Sequence, residues 1–337
     1  MVRPLSIVAF VVALTLAGQW SPSNGGETDF PVLKGEYLGQ SPPGAVPEMF
    51  APGVVSKHFD ELNAVFSPQG DLFLFSVKLP NRSRHTMMFM SRDSQIWTPP
   101  EVLPFSGGYS DADPAFDREG KRVFFISMRP LPGEDEPRGD WDLWVVDRDG
   151  DAWGEPIHLG PGINSKAIDV YPSLADDGTL YFSSGRDGGF GKNDLYKAEP
   201  VEGGYGAPEN LGTPINTEHS EGDLYVSPDE SFIVFVSSGR PDAVGRGDLY
   251  VSRRMSDGSW SAGINLGEGV NSDQTEYCPA VSRDGKYLFF TSYRNYIKIQ
   301  PYRPLAYSDI QRIYLEPANG LADIYWVDAG VLNPESQ

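Results

Sequence analysis

Residues 169–216 read DVYPSLADDGTLYFSSGRDGGFGKNDLYKAEPVEGGYGAPENLGTPIN, and the order of parts in this stretch recurs in four more segments of the chain. An acid, Asp169, opens it, followed by Tyr171 and Pro172 and the tight turn Asp176-Asp177-Gly178. The apolar strand Leu180 to Phe182 closes in Ser183-Ser184-Gly185-Arg186, and a glycine-rich loop leads to a second strand, Asp194 to Lys197. Beyond Gly203-Gly204 come Tyr205, Pro208 and the ending Asn210-Leu211-Gly212-Thr213-Pro214-Ile215-Asn216. Short strands set between turn residues at a fixed period are the sign of a fold made of stacked equivalent units, here of the propeller kind.

The other units open at Glu61, Asp111, Glu221 and Glu276. In the last of them an insertion, Asn295 to Gly320, delays the strand Asp323 to Val327, and within it Tyr307 to Leu315 is expected as one short helix. That unit has no Leu-Gly ending of its own, whereas a matching segment stands early in the chain at Met49 to Val55. A ring of four-stranded blades closes well when an N-terminal strand completes the last blade, because both otherwise open edges are then paired. The expected fold class is all-β, a β-propeller of four-stranded blades, with five counted and six allowed if Tyr37 to Pro47 adds a strand. Residues 47–332 form the propeller, 19–46 a flexible or extended lead-in and 333–337 a tail.

Residues 1–18 have the layout of a signal peptide: a basic Arg3, an apolar run from Leu5 to Leu16 and small residues at Ala17 and Gly18. The run is short for a membrane span, and without a nearby cysteine the leader has no lipobox. The expectation is an exported, soluble protein, periplasmic or secreted, with no membrane insertion of the mature chain. A net charge of −20 opposes binding to nucleic-acid phosphates and anionic membranes while leaving basic partners open. Cys278 is the single cysteine, which excludes an intramolecular disulfide and reads as a buried, inert thiol.

The motifs Ser67-Pro68-x-Gly70, Ser282-x-Asp284-Gly285, Phe182-Ser183-Ser184-x-Arg186, Asp194-Leu195-Tyr196 and Asn210-Leu211-Gly212 resemble those of the WD40-like, TolB-type β-propeller repeat family. The resemblance covers about Phe50 to Val327. It implies the propeller fold and leaves function open, since the family includes periplasmic scaffolds and many exported propellers.

The acids that open the units, Glu61, Asp111, Asp169, Glu221 and Glu276, all stand six positions before one turn column. The innermost strand of each blade lines the propeller channel, so these carboxylates are candidate ligand-binding residues for a cation or a polyhydroxyl compound. Arg129, Arg186, Arg240 and Arg294, with Lys78 in the first unit, end the strand that folds back beside the acid, and are candidates with them. The competing expectation is that each acid pairs with its own blade's base in a repeated structural salt bridge. Asp142, Asp194, Asp248 and Asp323 each begin a third strand, where a carboxylate can accept loop N–H groups. Trp97, Trp153, Tyr205 and Trp260 read as packing between blades.

No catalytic residue is assigned. The histidines His58, His85, His158 and His219 lack metal-ligand spacing, no Gly-x-Ser-x-Gly elbow is present, and no metal or cofactor is expected. A repeated acid gives similar environments, whereas an acid and base pair needs different ones. The expected function is therefore a non-catalytic module that binds a protein or a glycan through its loop faces, including the loop Pro130 to Asp140 and the insertion. The alternative is a carbohydrate-active hydrolase or lyase with two channel carboxylates free of their arginines, under aromatics such as Tyr293, Tyr296 or Tyr302.

Overall fold

The computed structural model describes residues 30–80, 84–297 and 303–333. The expected leader, along with Lys298 and Tyr302 of the insertion, lies outside them. Contacts separate 1–32 from 33–337, and the second unit carries all the strands described below.

Five antiparallel sheets follow the five sequence units. Blade 1 is built from Asp60–Phe66, Leu72–Lys78, His85–Asp93 and Glu101–Val102, and blade 2 from Asp111–Phe116, Arg122–Ser127, Asp142–Asp149 and Ile157–His158. Blade 3 comprises Asp169–Leu174, Leu180–Ser184, Asp194–Ala198 and Glu209–Asn210; blade 4 comprises Ser220–Val226, Phe232–Ser238, Asp248–Arg253 and Ile264–Asn265. Blade 5 takes Glu276–Val281, Tyr287–Ser292 and Asp323–Asp328, and its outer strand is Glu48–Met49, with Met49 opposite Tyr325. The first strands touch in a closed cycle from blade 1 through blade 5 and back. The molecule is a five-bladed propeller closed by its N-terminal strand.

Alternation along the strands puts apolar side chains on both faces of each blade, and neighbouring blades bury them against each other. Separate clusters join blades 1 and 2, 2 and 3, 3 and 4, and 4 and 5. The closing seam differs in being aromatic: Phe50, Phe66, Phe73, Phe289 and Trp326 pack ring against ring. Tyr37 joins them from the lead-in, packing on Phe66 and Tyr287, while Trp97 Nε1–H donates to the Gly35 carbonyl. The segment expected as a flexible or extended lead-in is thus anchored to the propeller from Lys34 onward, because Tyr37 and Leu38 supply apolar surface that the seam can bury.

Each first strand carries a bulge at the same place, for example between Leu62 and Val65 and between Ala112 and Ala115. The residue two after each opening acid, Asn63, Asp113, Tyr171, Asp223 or Cys278, has a positive φ. Such a backbone re-aims a side chain, and for Tyr171 and Cys278 it is strained. The expected helix Tyr307–Leu315 is present and buries none of its residues. No helix among the described residues is long and apolar enough to cross a membrane.

Candidate ligand-binding site

Four of the five opening acids are locked within their own blades. Arg129 reaches Asp111 at 2.8 Å, Arg186 reaches Asp169 at 2.7 Å, Arg240 reaches Glu221 at 2.9 Å and Arg294 reaches Glu276 at 3.4 Å. All four acids are fully buried. Each stands directly opposite a serine of the second strand, Ser127, Ser184, Ser237 or Ser292. The same guanidinium also donates to the carbonyl six positions before the acid, that of Phe105, Ile163, Ile215 or Val270. It lies over two aromatic rings, such as Phe235 and Tyr250 in blade 4, about 5 Å from each ring centre. A second hydroxyl, from Ser106, Ser165, Thr217 or Ser272, donates to the acid from the preceding loop. These carboxylates are thoroughly satisfied.

Blade 1 departs from the pattern, and here the strand register corrects the sequence alignment. Glu61 lies opposite Val77, so Val77 occupies the serine place and Leu79, not Lys78, the arginine place. The third-strand aspartate is replaced as well, by Thr86 opposite Val77. Lys78 turns away from Glu61 to pair with Asp60 at 3.2 Å and to donate to the Tyr293 hydroxyl at 3.3 Å. Glu61 keeps one Oε1 contact, with the Lys57 N–H at 3.2 Å, and its Oε2 has no hydrogen-bond partner although the residue is fully buried. Burial, reinforced by the Asp323 carboxylate, raises its pKa to about 8. Asp323 itself is raised to about 7, first by burial and then by Asp60. Its Oδ2 takes the Ala318 N–H while Oδ1 stays unpaired, because Met49 stands in blade 5 where Asn210 and Asn265 serve Asp194 and Asp248.

Where blade 1 lacks the serine and the arginine, the surface opens into a pocket of about 1190 Å³. Val77, Leu79, Thr86 and Met88 line it from blade 1, with Asp60 and Lys78; Tyr293 and Leu321 border it from blade 5, and Arg246 from blade 4. Arg246 is set there by its loop, whose Gly245 lies so close to the carbonyls of Ser272 and Gln274 that a Cβ would collide with both. Below the pocket Tyr293 stacks on Tyr277, and their hydroxyls lie 3.1 Å apart.

On the axis itself the bulge residues Asn63, Asp113, Tyr171, Asp223 and Cys278 surround a cavity of about 40 Å³. Asn63 Nδ2–H donates to Asp113, and the Cys278 N–H donates to Asp223. Burial raises Asp223 to about 7 and Asp113 well above the ordinary carboxylate range, with Asp223 adding to the effect on Asp113. Asp113 Oδ2 has no partner. This ring escapes the sequence because its five members share no chemistry; the one trace is a fixed offset of two from the opening acid. No group of three or more His, Cys, Asp or Glu among the described residues is placed to hold a metal ion.

No family model and no curated protein sequence matches the chain. Among solved structures, a BT0996–RGII complex aligns at a TM-score of 0.53 and 11% identity, covering 86% of this chain and 92% of its counterpart. A TolB from Agrobacterium tumefaciens aligns at 0.48 and 17% identity, covering 80% and 90%. An α-L-arabinofuranosidase from Lactobacillus brevis aligns at 0.48 and 12%, covering 81% and 91%. The likeness is one of fold. The chemistry has to be read from this chain's own residues, since a shared fold does not carry a function with it.

The remaining expectations divide. Asp194 and Asp248 accept loop N–H groups from Phe190 and Gly191 and from Val244 and Gly245. Asp142 instead pairs with Arg138 at 3.1 Å and His158 at 3.0 Å, and Arg138 also holds Asp140, so the acidic loop of blade 2 is tied down by its own base. Trp97 and Trp260 are buried, and Trp153 packs beside Phe105.

Proposed function

We propose that this chain is an exported, non-catalytic recognition module whose partner, a protein or a glycan, engages the blade 1 pocket. The observation that carries the reading is the break in the repeat: four blades fill this position with their own arginine, whereas in blade 1 Val77 and Leu79 stand in the serine and arginine places and line a pocket. A concave site with apolar walls and a few convergent polar groups suits ligand binding. Export is supported by the leader, and the repeat motifs support a place among the TolB-type propellers.

A hydrolase or lyase reading would draw on Asp113 and Asp223, which have no arginine partner. Their cavity, at about 40 Å³, is too small for a sugar ring, and Asp60 in the wide pocket is held by Lys78. The test is a thermal melt of the protein and of a pocket-filling variant, Leu79→Trp, against panels of oligosaccharides and short peptides. A ligand of the native pocket raises the midpoint of the parent and fails to raise that of the variant. Turnover of any oligosaccharide in the panel would overturn the non-catalytic reading.

A further inference from the structure

The side chains that line the blade 1 pocket offer more hydrogen-bond donors than acceptors. The lining holds the bases Lys78 and Arg246, with His58, against one acid, Asp60. That acid is already taken, by Lys78 on Oδ2 and by the Ala322 N–H on Oδ1. Lys78 uses two of the three donors of an ammonium, on Asp60 and on the Tyr293 hydroxyl, and keeps one. Thr86 is only 7% exposed and lines the pocket, yet its hydroxyl has no hydrogen-bond partner among the described residues. Arg246 is exposed and forms no ion pair among the described residues. Its backbone is nonetheless fixed: the Arg246 N–H donates to the Gln274 carbonyl at 2.6 Å, and Gly247 bridges to Thr275. A pinned guanidinium, an unused ammonium N–H and a buried hydroxyl thus border one pocket without acceptors of their own. The rest of the lining is mainly aliphatic, with Val77, Leu79, Met88, Val102 and Leu321.

We propose that the blade 1 pocket takes the C-terminal end of a partner polypeptide, with the terminal carboxylate on Arg246 and an aliphatic last side chain between Val77, Leu79 and Met88. The proposal rests on the pocket being the binding site and goes further by naming the group bound. A carboxylate answers the surplus of donors, because both its oxygens accept and a guanidinium receives it through a planar fork. The net charge of −20 repels a polyanion, which disfavours a run of acidic residues or an acidic glycan. One carboxylate at the end of an otherwise neutral chain escapes most of that repulsion. Sugar hydroxyls donate as well as accept, and the one carboxylate in the lining is already held by Lys78 and Ala322. A terminal residue carries its carboxylate and its side chain on the same carbon, so it meets the donors and the aliphatic walls together.

The experiment is calorimetric titration of the intact protein with pools of acetylated tetrapeptides, randomised upstream and ending in leucine, serine or lysine, each as free acid and as amide. The leucine free acid is expected to bind roughly tenfold or more tighter than its amide and than the serine and lysine pools. Arg246→Gln should lose at least about tenfold of that affinity. Thr86→Val, which removes the hydroxyl at nearly constant shape, should lose roughly threefold or more. Leu79→Trp fills the pocket and should abolish binding. Acid and amide that bind alike, or acid binding that survives Arg246→Gln, overturns the terminal-carboxylate assignment. Amidated peptides with an internal glutamate that match the free acid overturn it too, by moving recognition from the chain end to a side chain. If Arg246→Gln does not fold, the comparison of acid with amide on the parent decides alone. Oligosaccharides that bind the parent and not Leu79→Trp, with every peptide pool inert, would leave the pocket standing as the site and remove the polypeptide terminus. Failure of every ligand to distinguish the parent from Leu79→Trp removes both readings.

Discussion

Glu61 and Glu221 occupy the same place in the repeat, and their neighbours decide how they behave. Glu221 accepts from Arg240, Ser237 and Thr217, all buried or half-buried. Removing Arg240 leaves that carboxylate in the interior uncompensated, so Arg240→Ala is expected to cost about 3–5 kcal/mol in urea unfolding. Glu61 has no such partners, and Glu61→Gln should leave stability at pH 7.5 within about 1 kcal/mol of the parent or raise it, since no ion pair is broken. A large loss from Glu61→Gln would mean that the acid is a structural member like the other four. The sequence places both residues in one column. It does not place Val77 opposite Glu61 and Leu79 in the arginine position, because Lys78 offers a base one position away and only the strand register separates the two.

At the level of elements, the closing strand is the part most exposed to failure. Glu48–Met49 contributes a two-residue ladder, and the seam relies on Phe50 and Trp326 with the rings around them. Phe50 is fully buried, and Phe50→Ala is expected to cost about 3–5 kcal/mol, read from the shift in urea midpoint. Loss of the strand itself would expose the edge of Asp323–Asp328 to pairing with another chain. The early segment resembling a unit ending was legible as the missing piece of the last blade. The ring of aromatic contacts made by Tyr37 was not, because its partners Phe66, Tyr287 and Trp326 come from widely separated units.

For the whole molecule, the buried carboxyls set a pH dependence. Glu61 is raised to about 8, Asp223 and Asp323 to about 7, and Asp113 well above its ordinary value. A carboxyl protonated in the folded chain and ionised in the unfolded one lowers stability as pH rises, from near its unfolded pKa of roughly 4 up to its folded value. The melting temperature should therefore fall from about pH 5 to pH 8. Glu61→Gln should flatten the upper part of that fall, with Asp323, Asp60 and the Lys78 pair still in place around it. A melting temperature that rises across this range would show the four groups to be ionised and paired in the folded protein.

The sequence by itself determined the strand order within the blades and the N-terminal closure, because turn residues and alternating apolar strands repeat at a period that local physics imposes; it counted five blades and left a sixth open, which the tertiary structure decided. It also marked the opening acids and the arginines as one repeated pair. Tertiary structure alone decided which acid is left unpaired, that the pocket lies in blade 1, and that Asn63, Asp113, Tyr171, Asp223 and Cys278 meet on the axis. The reason is geometric. A register shift of one residue sends a side chain to the other face of a sheet, and five bulges bring together residues about fifty positions apart whose identities carry no common pattern.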